Sequence, residues 1–419
     1  MSKSLVSASA TKALTSITSR PLVCRSCAAT TSNCQRSFTT SQRRQAAPPP
    51  PPPSGFTKLT ARRLISLSGP DTVHFLQGVI TADIAPGAVP RSNGFFAAFL
   101  NAKGRVLCDT FIYPDIYHLL AFDSGKFKDA SGRAGERWII ECDANELKNL
   151  YTHLRRYKLR AKLDLRIIDE GELGIWQSWR DAPAAGKEGE AKWTAHSIPA
   201  PGATSTENSI PVPPMEKGMI TLNDPRAPGL GRRILAPGTQ PPAQEIEGLQ
   251  EATLDSYKIR RYLRGVQEGQ SEIQPEKALP QESNIDYMSG ISYRKGCYLG
   301  QELTIRTHHT GVVRKRALPV MLYPLGSAEP EALAYDAGTT VEIPPLGSVM
   351  DRVTKEGRQR GLGKFLTGIG NIGIGVCRLE GVQNGGPFKV QWKLEGQDEE
   401  KTVGVKAFVP SWHLKAESK

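Results

Sequence analysis

The chain has 419 residues, a formal net charge of +12 from 54 Lys and Arg against 42 Asp and Glu, and 39% hydrophobic residues. Its 40 glycines and 31 prolines indicate many turns and exclude a long coiled coil, and no apolar run is long enough to predict a transmembrane helix. The composition predicts a turn-rich globular protein with room for two or three domains and no membrane insertion.

The excess of positive charge lies in residues 1–45, which hold seven Lys and Arg, 17 Ser and Thr and no carboxylate. This composition is typical of a mitochondrial transit peptide and predicts the mitochondrial matrix as destination, with cleavage near residue 38. A disordered basic tail is the alternative. The rest of the chain has 47 basic and 42 acidic residues, so nucleic-acid binding is not predicted.

The predicted cleavage removes three of the seven cysteines. Those that remain are far apart in sequence and lack the spacing of a structural metal site; they are Cys108, Cys142, Cys297 and Cys377. A reducing matrix also argues against a framework of disulfides.

A proline run marks residues 46–55 as a linker, and residues 56–310 read as mixed α and β structure. Apolar periodicity predicts helices that begin near Asp71 and Asp143 and one over Glu245–Gly265. Extended runs are Phe95–Leu100, Arg105–Tyr113, Ile116–Phe122, Arg137–Cys142, Leu163–Ile168 and Leu173–Trp179. Residues 181–219, rich in Pro, Gly, Ser and Glu, predict a disordered surface insertion.

Residues 311–419 show short β-like pieces between glycines and prolines, which predict a small antiparallel barrel. The pieces are Ala317–Tyr323, Thr339–Ile343, Gly347–Val353, Phe388–Leu394 and Thr402–Val409. The string Gly368–Gly373 matches a dinucleotide fingerprint, but alternating strand residues follow it where a helix is required. It therefore predicts a glycine-rich turn of the barrel. The adjacent His308 and His309 lack a third ligand and predict no metal site.

The segment from Tyr293 to Glu302 stands out because Cys297 lies between two glycines and follows two cations, Arg294 and Lys295. Glycines permit a tight turn that presents the thiol, and nearby cations favour the thiolate, which is the form that attacks or binds metal. The amide of Gln301 and the carboxylate of Glu302 are suited to a polar heterocycle. The alternative is a structural turn in which the cysteine is merely small.

The octet Lys295–Glu302 resembles the signature of the folate-binding YgfZ-type proteins, which are related to the glycine-cleavage T-protein. Further segments resemble family motifs in the same order: Leu67–Asp71 with Phe75–Gly78, Leu100–Arg105, and Asp224–Arg226 with Leu230–Arg232. The resemblance covers about residues 58–380. Together with the predicted transit peptide, it extends to the mitochondrial iron–sulfur assembly factors of this family.

The resemblance implies an α+β fold of two T-protein-like α/β lobes around a central opening, followed by the barrel. It implies a tetrahydrofolate-type pocket that faces Cys297, and a role in late [4Fe–4S] assembly with A-type scaffold proteins. Cys297 would be the functional thiol, framed by Lys295, Gly296, Tyr298, Gly300, Gln301 and Glu302. Candidate folate contacts are Asp109, Tyr293, Arg294 and Arg306.

Two other functions remain open from the sequence. T-protein relatives carry two adjacent carboxylates where this chain has Cys108-Asp109, which argues against aminomethyl transfer because acid–base catalysis needs positioned carboxylates. A folate-dependent one-carbon transferase is nevertheless the second hypothesis, and a passive interaction module the third. Because a [2Fe–2S] cluster takes four protein ligands, Cys297 alone predicts a cluster shared with a partner.

Overall fold

The computed structural model describes residues 47–120, 136–181, 218–339, 341–353, 361–393 and 399–413. The predicted transit peptide and most of the predicted insertion lie outside these ranges. Residues from Ala46 onward form one compact unit. Within the described ranges, no helix has the length and apolar character needed to cross a membrane.

The strands, in chain order, are β1 (Ser54–Lys58), β2 (Arg62–Ser68), β3 (Phe95–Leu100), β4 (Val106–Pro114), β5 (Arg137–Asp143), β6 (Asp164–Ile167), β7 (Leu173–Arg180), β8 (Ile220–Asn223), β9 (Arg232–Pro237), β10 (Gln250–Glu251), β11 (Lys315–Tyr323), β12 (Val349–Arg352), β13 (Gly363–Ile369), β14 (Ile372–Arg378), β15 (Phe388–Lys393) and β16 (Glu400–Ala407). The α-helices are α1 (Thr72–Val79), α2 (Leu147–Lys158), α3 (Ala243–Ile246), α4 (Leu254–Leu263), α5 (Gln301–Thr310) and α6 (Leu379–Asn384).

The first lobe is an antiparallel sheet in the order β3-β4-β5-β2-β6, with α1 and α2 against it. Each helix has an apolar face, as the sequence periodicity predicts. Helix α1 buries Phe75, Leu76 and Val79, and α2 buries Leu147, Leu150 and Leu154. These side chains share one core with the inward-facing residues of the strands.

The second lobe is a sheet in the order β10-β1-β7-β9-β8, together with α3 and α4. Its strands are antiparallel except that β10 pairs parallel to β1. Helix α4 begins at a cap, since the Thr253 hydroxyl accepts a hydrogen bond of 3.2 Å from the Ser256 amide. A large core holds side chains of both lobes, among them Phe96 and Phe111 from the first and Ile175 and Leu235 from the second. The two lobes therefore fold as one body.

The remaining strands close into an antiparallel barrel in the order β11-β14-β13-β12-β15-β16. The predicted architecture, two α/β lobes and a C-terminal barrel, is confirmed. Gly368–Gly373 spans the tip of the β13–β14 hairpin, with its turn at Gly370, which has a φ of +57°, so the predicted glycine-rich turn is also confirmed.

Three local predictions were wrong. Residues 116–120 are not extended, because Asp115 caps a turn by accepting a 2.8 Å hydrogen bond from the Leu119 amide. The expected helix over residues 245–265 is interrupted at Gly248, which has a φ of +69°, and the chain continues as β10 before α4 begins. The described part of Thr339–Ile343 forms no strand.

The proline run lies against both the second lobe and the barrel. The Trp179 indole donates a 2.9 Å hydrogen bond to the Pro52 carbonyl, and the Tyr335 hydroxyl donates to the Pro48 carbonyl. Strand β1 begins at Ser54, so its first two residues lie within the range predicted as a linker.

Candidate functional site

Residues 291–300, named here the Cys297 loop, lead directly into α5. Cys297 is exposed, whereas the other three cysteines in the described ranges, Cys108, Cys142 and Cys377, are buried. The thiol that the sequence singled out is thus the one among these four that solvent reaches.

Backbone contacts fix the Cys297 loop to the end of α1 and the residues that follow it. The Leu299 amide donates to the Gly78 carbonyl at 3.0 Å, and the Ser292 amide donates to the Thr81 carbonyl at 2.9 Å. The buried Thr81 hydroxyl in turn donates to the Gly290 carbonyl at 2.6 Å. Because both ends of the loop are held, the position of Cys297 is set by the first lobe.

Lys295 adds a side-chain contact to the same segment. Its ammonium group donates to the carbonyls of Ile80 and Ala82, each at 2.8 Å. Burial lowers the pKa of Lys295 to about 7, although Asp83 opposes this shift. The ammonium group is therefore engaged in holding the loop, a role that the sequence alone did not suggest.

Gly300 makes a close contact with the turn at Leu100–Arg105, the second family-like motif. It has a φ of +77°, and a Cβ added there would lie 2.3 Å from the Asn101 carbonyl oxygen. Gly104 faces it with a φ of +75°, and its Cβ would lie 2.9 Å from the Gly300 carbonyl oxygen. Both positions require glycine for backbone conformation and for space. Gly296 requires neither, since a Cβ there meets nothing within 4 Å.

The remaining frame residues shape the entry to α5. The Gln301 side chain accepts a 3.2 Å hydrogen bond from the Tyr298 amide, and Tyr298 is buried. Glu302 is exposed in the first turn of the helix, where a carboxylate is favourable. Gln301 and Glu302 thus each have a structural role at the start of α5, whether or not they contact a ligand.

Three of the four candidate folate contacts lie around this loop. The Tyr293 ring stacks on His308 of α5, with ring centroids 3.6 Å apart and planes 8° apart. Arg294 and Arg306 are exposed. The stack joins the start of the loop to the last turn of α5, so the loop and the helix form one surface.

The fourth candidate, Asp109, has no exposed surface. Its carboxylate is 3.2 Å from the Arg62 guanidinium and accepts a 3.1 Å hydrogen bond from the Gly269 amide. Burial raises the pKa of Asp109, and Arg62 opposes that shift. The Gln270 amide donates a third, 3.5 Å hydrogen bond to the carboxylate, so a ligand would reach a group that is already enclosed by three donors.

Asp109 belongs to a buried set of charged and polar side chains between the lobes, named here the interlobe network. Its members are Arg62, Asp109, Glu141, Asp224, Arg226, Arg233, Tyr257 and Glu268. Glu141 is central: its carboxylate is 2.7 Å from Arg62 of the first lobe and 2.5 Å from Arg233 of the second. Glu268 accepts from the Tyr257 hydroxyl at 2.7 Å and lies 3.0 Å from Arg233.

The environment of the network favours the ionised form of two of its acids, Glu141 and Glu268. Burial opposes ionisation of Glu268, but Arg233 and Arg226 outweigh it and hold the pKa of Glu268 well below its ordinary value of 4.5. The same balance of burial against Arg233 and Arg62 lowers the pKa of Glu141. The sequence signal for this network was a carboxylate within an apolar strand, since Glu141 follows Trp138, Ile139 and Ile140.

Among the described residues, no group of three or more His, Cys, Asp and Glu side chains could hold a metal ion. Any iron that Cys297 binds would therefore need ligands from outside this part of the chain.

The family described as "CAF17, C-terminal beta-barrel domain" matches residues 314–415, which contain the barrel. A protein of Pyricularia oryzae named "Iron-sulfur cluster assembly factor IBA57 homolog, mitochondrial" is 46% identical over 97% of this chain and 96% of its own length. Proteins with the same name from Neosartorya fischeri and Neurospora crassa are each 41% identical, over 86% of this chain and 81% of their own lengths.

The chain belongs to the family of mitochondrial IBA57 iron–sulfur cluster assembly factors. Among solved structures, the glycine cleavage system aminomethyltransferase T from Bartonella henselae is similar, with a TM-score of 0.55, 13% identity and coverage of 86% of each chain. At that identity the likeness shows the fold alone. The resemblance stated from the sequence is thereby confirmed for the family and for the T-protein-like fold.

Proposed function

We propose that this protein acts in the mitochondrial matrix in the maturation of [4Fe–4S] clusters, together with A-type scaffold proteins. In this proposal, Cys297 binds, as a thiolate, one iron of a [2Fe–2S] cluster shared with the scaffold. Family membership supports the assembly role, and the names of the relatives support the mitochondrial location.

The observation that carries the proposal is the contrast among the cysteines. Cys297 is exposed on a loop that is held at both ends, while Cys108, Cys142 and Cys377 are buried. A thiolate that binds a cluster at the surface of a protein must be accessible and must keep a fixed position, because ligand geometry at iron is narrow. Cys297 meets both conditions.

The shared cluster follows from a count of ligands. A [2Fe–2S] cluster takes four ligands, mostly thiolates. The described residues supply one exposed thiol and no three-ligand group. A partner that contributes the other ligands therefore fits this site better than a resident cluster does.

The test is a titration of the protein with a [2Fe–2S]-loaded A-type scaffold, followed by visible circular dichroism. We expect the Cys297→Ala variant to lose the spectral change that the wild-type protein gives. The matched control is Cys377→Ala, which removes a buried thiol from the barrel and should leave the change intact. If Cys297→Ala gives the wild-type spectrum, Cys297 is not a cluster ligand, and the passive interaction module becomes the better description.

The second candidate function is a one-carbon transferase that uses tetrahydrofolate, and the T-protein-like fold is what favours it. The exposed cations Arg294 and Arg306 suit the carboxylates of a folate tail, whereas Asp109 is enclosed by its own partners. Calorimetric titration with tetrahydrofolate, followed by an assay for aminomethyl transfer, tests this function. Binding without turnover would show that folate is a ligand and would rule out the transferase function.

A further inference from the structure

We infer that the surface formed by the Cys297 loop and α5 is a cationic docking site for a protein partner whose own cluster ligands are surrounded by acidic side chains. This inference rests on the proposed function and adds to it the chemistry by which the partner is recognised.

The charge distribution along the chain is the first observation. Residues 291–316 contain six Lys and Arg and a single carboxylate, that of Glu302. The whole of residues 46–419 has only five more basic than acidic residues. Residues 291–316 thus form a strongly cationic segment around Cys297, and residues 155–166, with six Lys and Arg and one carboxylate, form a second one.

The contacts and exposure separate five of the six cations of this segment into two classes. Lys295 is held by the carbonyls of Ile80 and Ala82, and Arg316 is paired with Asp286 at 2.9 Å. These two cations therefore have partners within the folded protein. In contrast, Arg294, Arg306 and Arg314 are exposed, and no described carboxylate forms an ion pair with them.

The exposed cations lie within reach of the thiol. Arg294 is three residues from Cys297, a span of at most about 10 Å. The Tyr293–His308 stack brings the last turn of α5 next to the start of the loop, and Arg306 lies two residues before His308 on the same helix. The turn that packs on Gly300 adds the exposed Lys103. A partner that supplies ligands to iron at Cys297 must therefore cover these cations.

The surface also has an apolar element. Val312, two residues after the end of α5, is 76% exposed. An exposed apolar side chain beside unpaired arginines matches the composition of protein interfaces, in which arginine is enriched and apolar groups lie near charged rims. A [2Fe–2S] cluster with four thiolates carries a charge of about −2, so cations near it also stabilise the shared species.

The experiment measures the association rate constant of the protein with an A-type scaffold, by stopped-flow fluorescence at several salt concentrations. For the double variant Arg294→Glu/Arg306→Glu we expect a rate at least about tenfold below wild type at low salt, and a weaker dependence on salt. The matched control is Arg156→Glu/Arg160→Glu on and after α2, which makes the same change of charge at exposed positions remote in sequence. The control should associate at the wild-type rate, and far-ultraviolet circular dichroism should show both variants folded.

The outcomes separate this inference from the proposed function. If Cys297→Ala associates at the wild-type rate but does not share the cluster, the docking inference and the proposed function are both supported. If the arginine double variant associates at the wild-type rate, the cationic surface is not the docking site, whatever Cys297 does. If the double variant instead loses binding to vesicles of anionic phospholipid while its scaffold binding is unchanged, the surface belongs to a membrane and the inference is overturned.

Discussion

The interlobe network and the Cys297 loop use charged side chains in opposite ways. In the network, Arg62, Glu141 and Arg233 are paired with one another, and their side chains are at most 2% exposed. Around the loop, Arg294 and Arg306 are exposed and remain available to a partner. The charges between the lobes are thus paired and inaccessible to solvent, whereas those near the thiol are exposed to it.

The two regions also differ in what a substitution removes. A buried ion pair contributes little to stability in itself, since desolvation offsets attraction, but loss of one partner leaves an uncompensated buried charge. An exposed cation can be reversed at almost no cost in stability. Stability experiments should therefore report on the network, and binding experiments on the loop.

The largest effect is expected for Glu141→Gln. This change leaves Arg62 and Arg233 without their shared carboxylate, and we expect the free energy of unfolding to fall by about 3–5 kcal/mol in urea titrations. Glu170→Gln is the control, because Glu170 pairs with Arg63 and its side chain is 81% exposed. A similar loss in both variants would show that burial does not distinguish the network.

The next effect is a dependence of stability on acid that originates at Glu268. Its pKa is depressed in the folded protein, so its ionised form stabilises the fold above the ordinary value of 4.5, and this contribution is lost as pH falls from there towards the folded pKa. We expect thermal unfolding between pH 3 and pH 6 to show a shallower slope for Glu268→Gln than for the wild type. Equal slopes would remove Glu268 as a source of acid sensitivity.

Within the loop, the two glycines of the octet should behave differently. Gly300→Ala places a Cβ against the Asn101 carbonyl in a left-handed conformation, and we expect a loss of about 1–3 kcal/mol together with faster alkylation of Cys297. Gly296→Ala is the matched control and should change the free energy of unfolding by less than about 0.5 kcal/mol. A larger loss for Gly296→Ala would contradict the described loop geometry.

The smallest effect concerns Lys295. Its pKa falls from 10.5 to about 7 on folding, so the unfolded chain binds the proton more tightly between these values, and stability should rise with pH from about 7 upward. Lys295→Met should not show this rise of stability with pH. Lys295→Arg should not show it either, because arginine keeps its charge, but this variant retains donors to the two carbonyls. Thermal melting from pH 7 to pH 9 compares the three proteins, and a slope unchanged in Lys295→Met would place the titration elsewhere.

The sequence predicted those helices and strands that carry a continuous or periodic set of buried apolar residues. Strand β3 was predicted at its observed bounds, because six apolar residues in a row are buried, and α2 followed from its apolar face. Helix α5 was not predicted, since only Thr304 of its ten residues is buried and no apolar face repeats along it. Exposed helices of this kind leave little hydrophobic signal.

Long-range partners explain what the sequence could not predict at the site. Lys295 binds carbonyls that are 215 and 213 residues away, and no spacing within the octet reveals them. Arg233 and Glu141 are likewise 92 residues apart and meet only when the lobes pack. The exposure of Cys297 was the exception, because two nearby glycines and flanking polar residues indicated a surface turn.

The position of the proline run against the fold bears on where a recombinant form of this chain should begin. Two of its carbonyls accept hydrogen bonds from other parts of the fold. The Pro48 carbonyl accepts one from Tyr335, next to the barrel, and the Pro52 carbonyl accepts one from Trp179 of β7. Polyproline backbone is stiff and offers free carbonyls, so it acts as a strap of fixed length, about 3.1 Å per residue. A recombinant start at Ser54 would keep every strand yet discard that strap, whereas a start at Ala47 retains it.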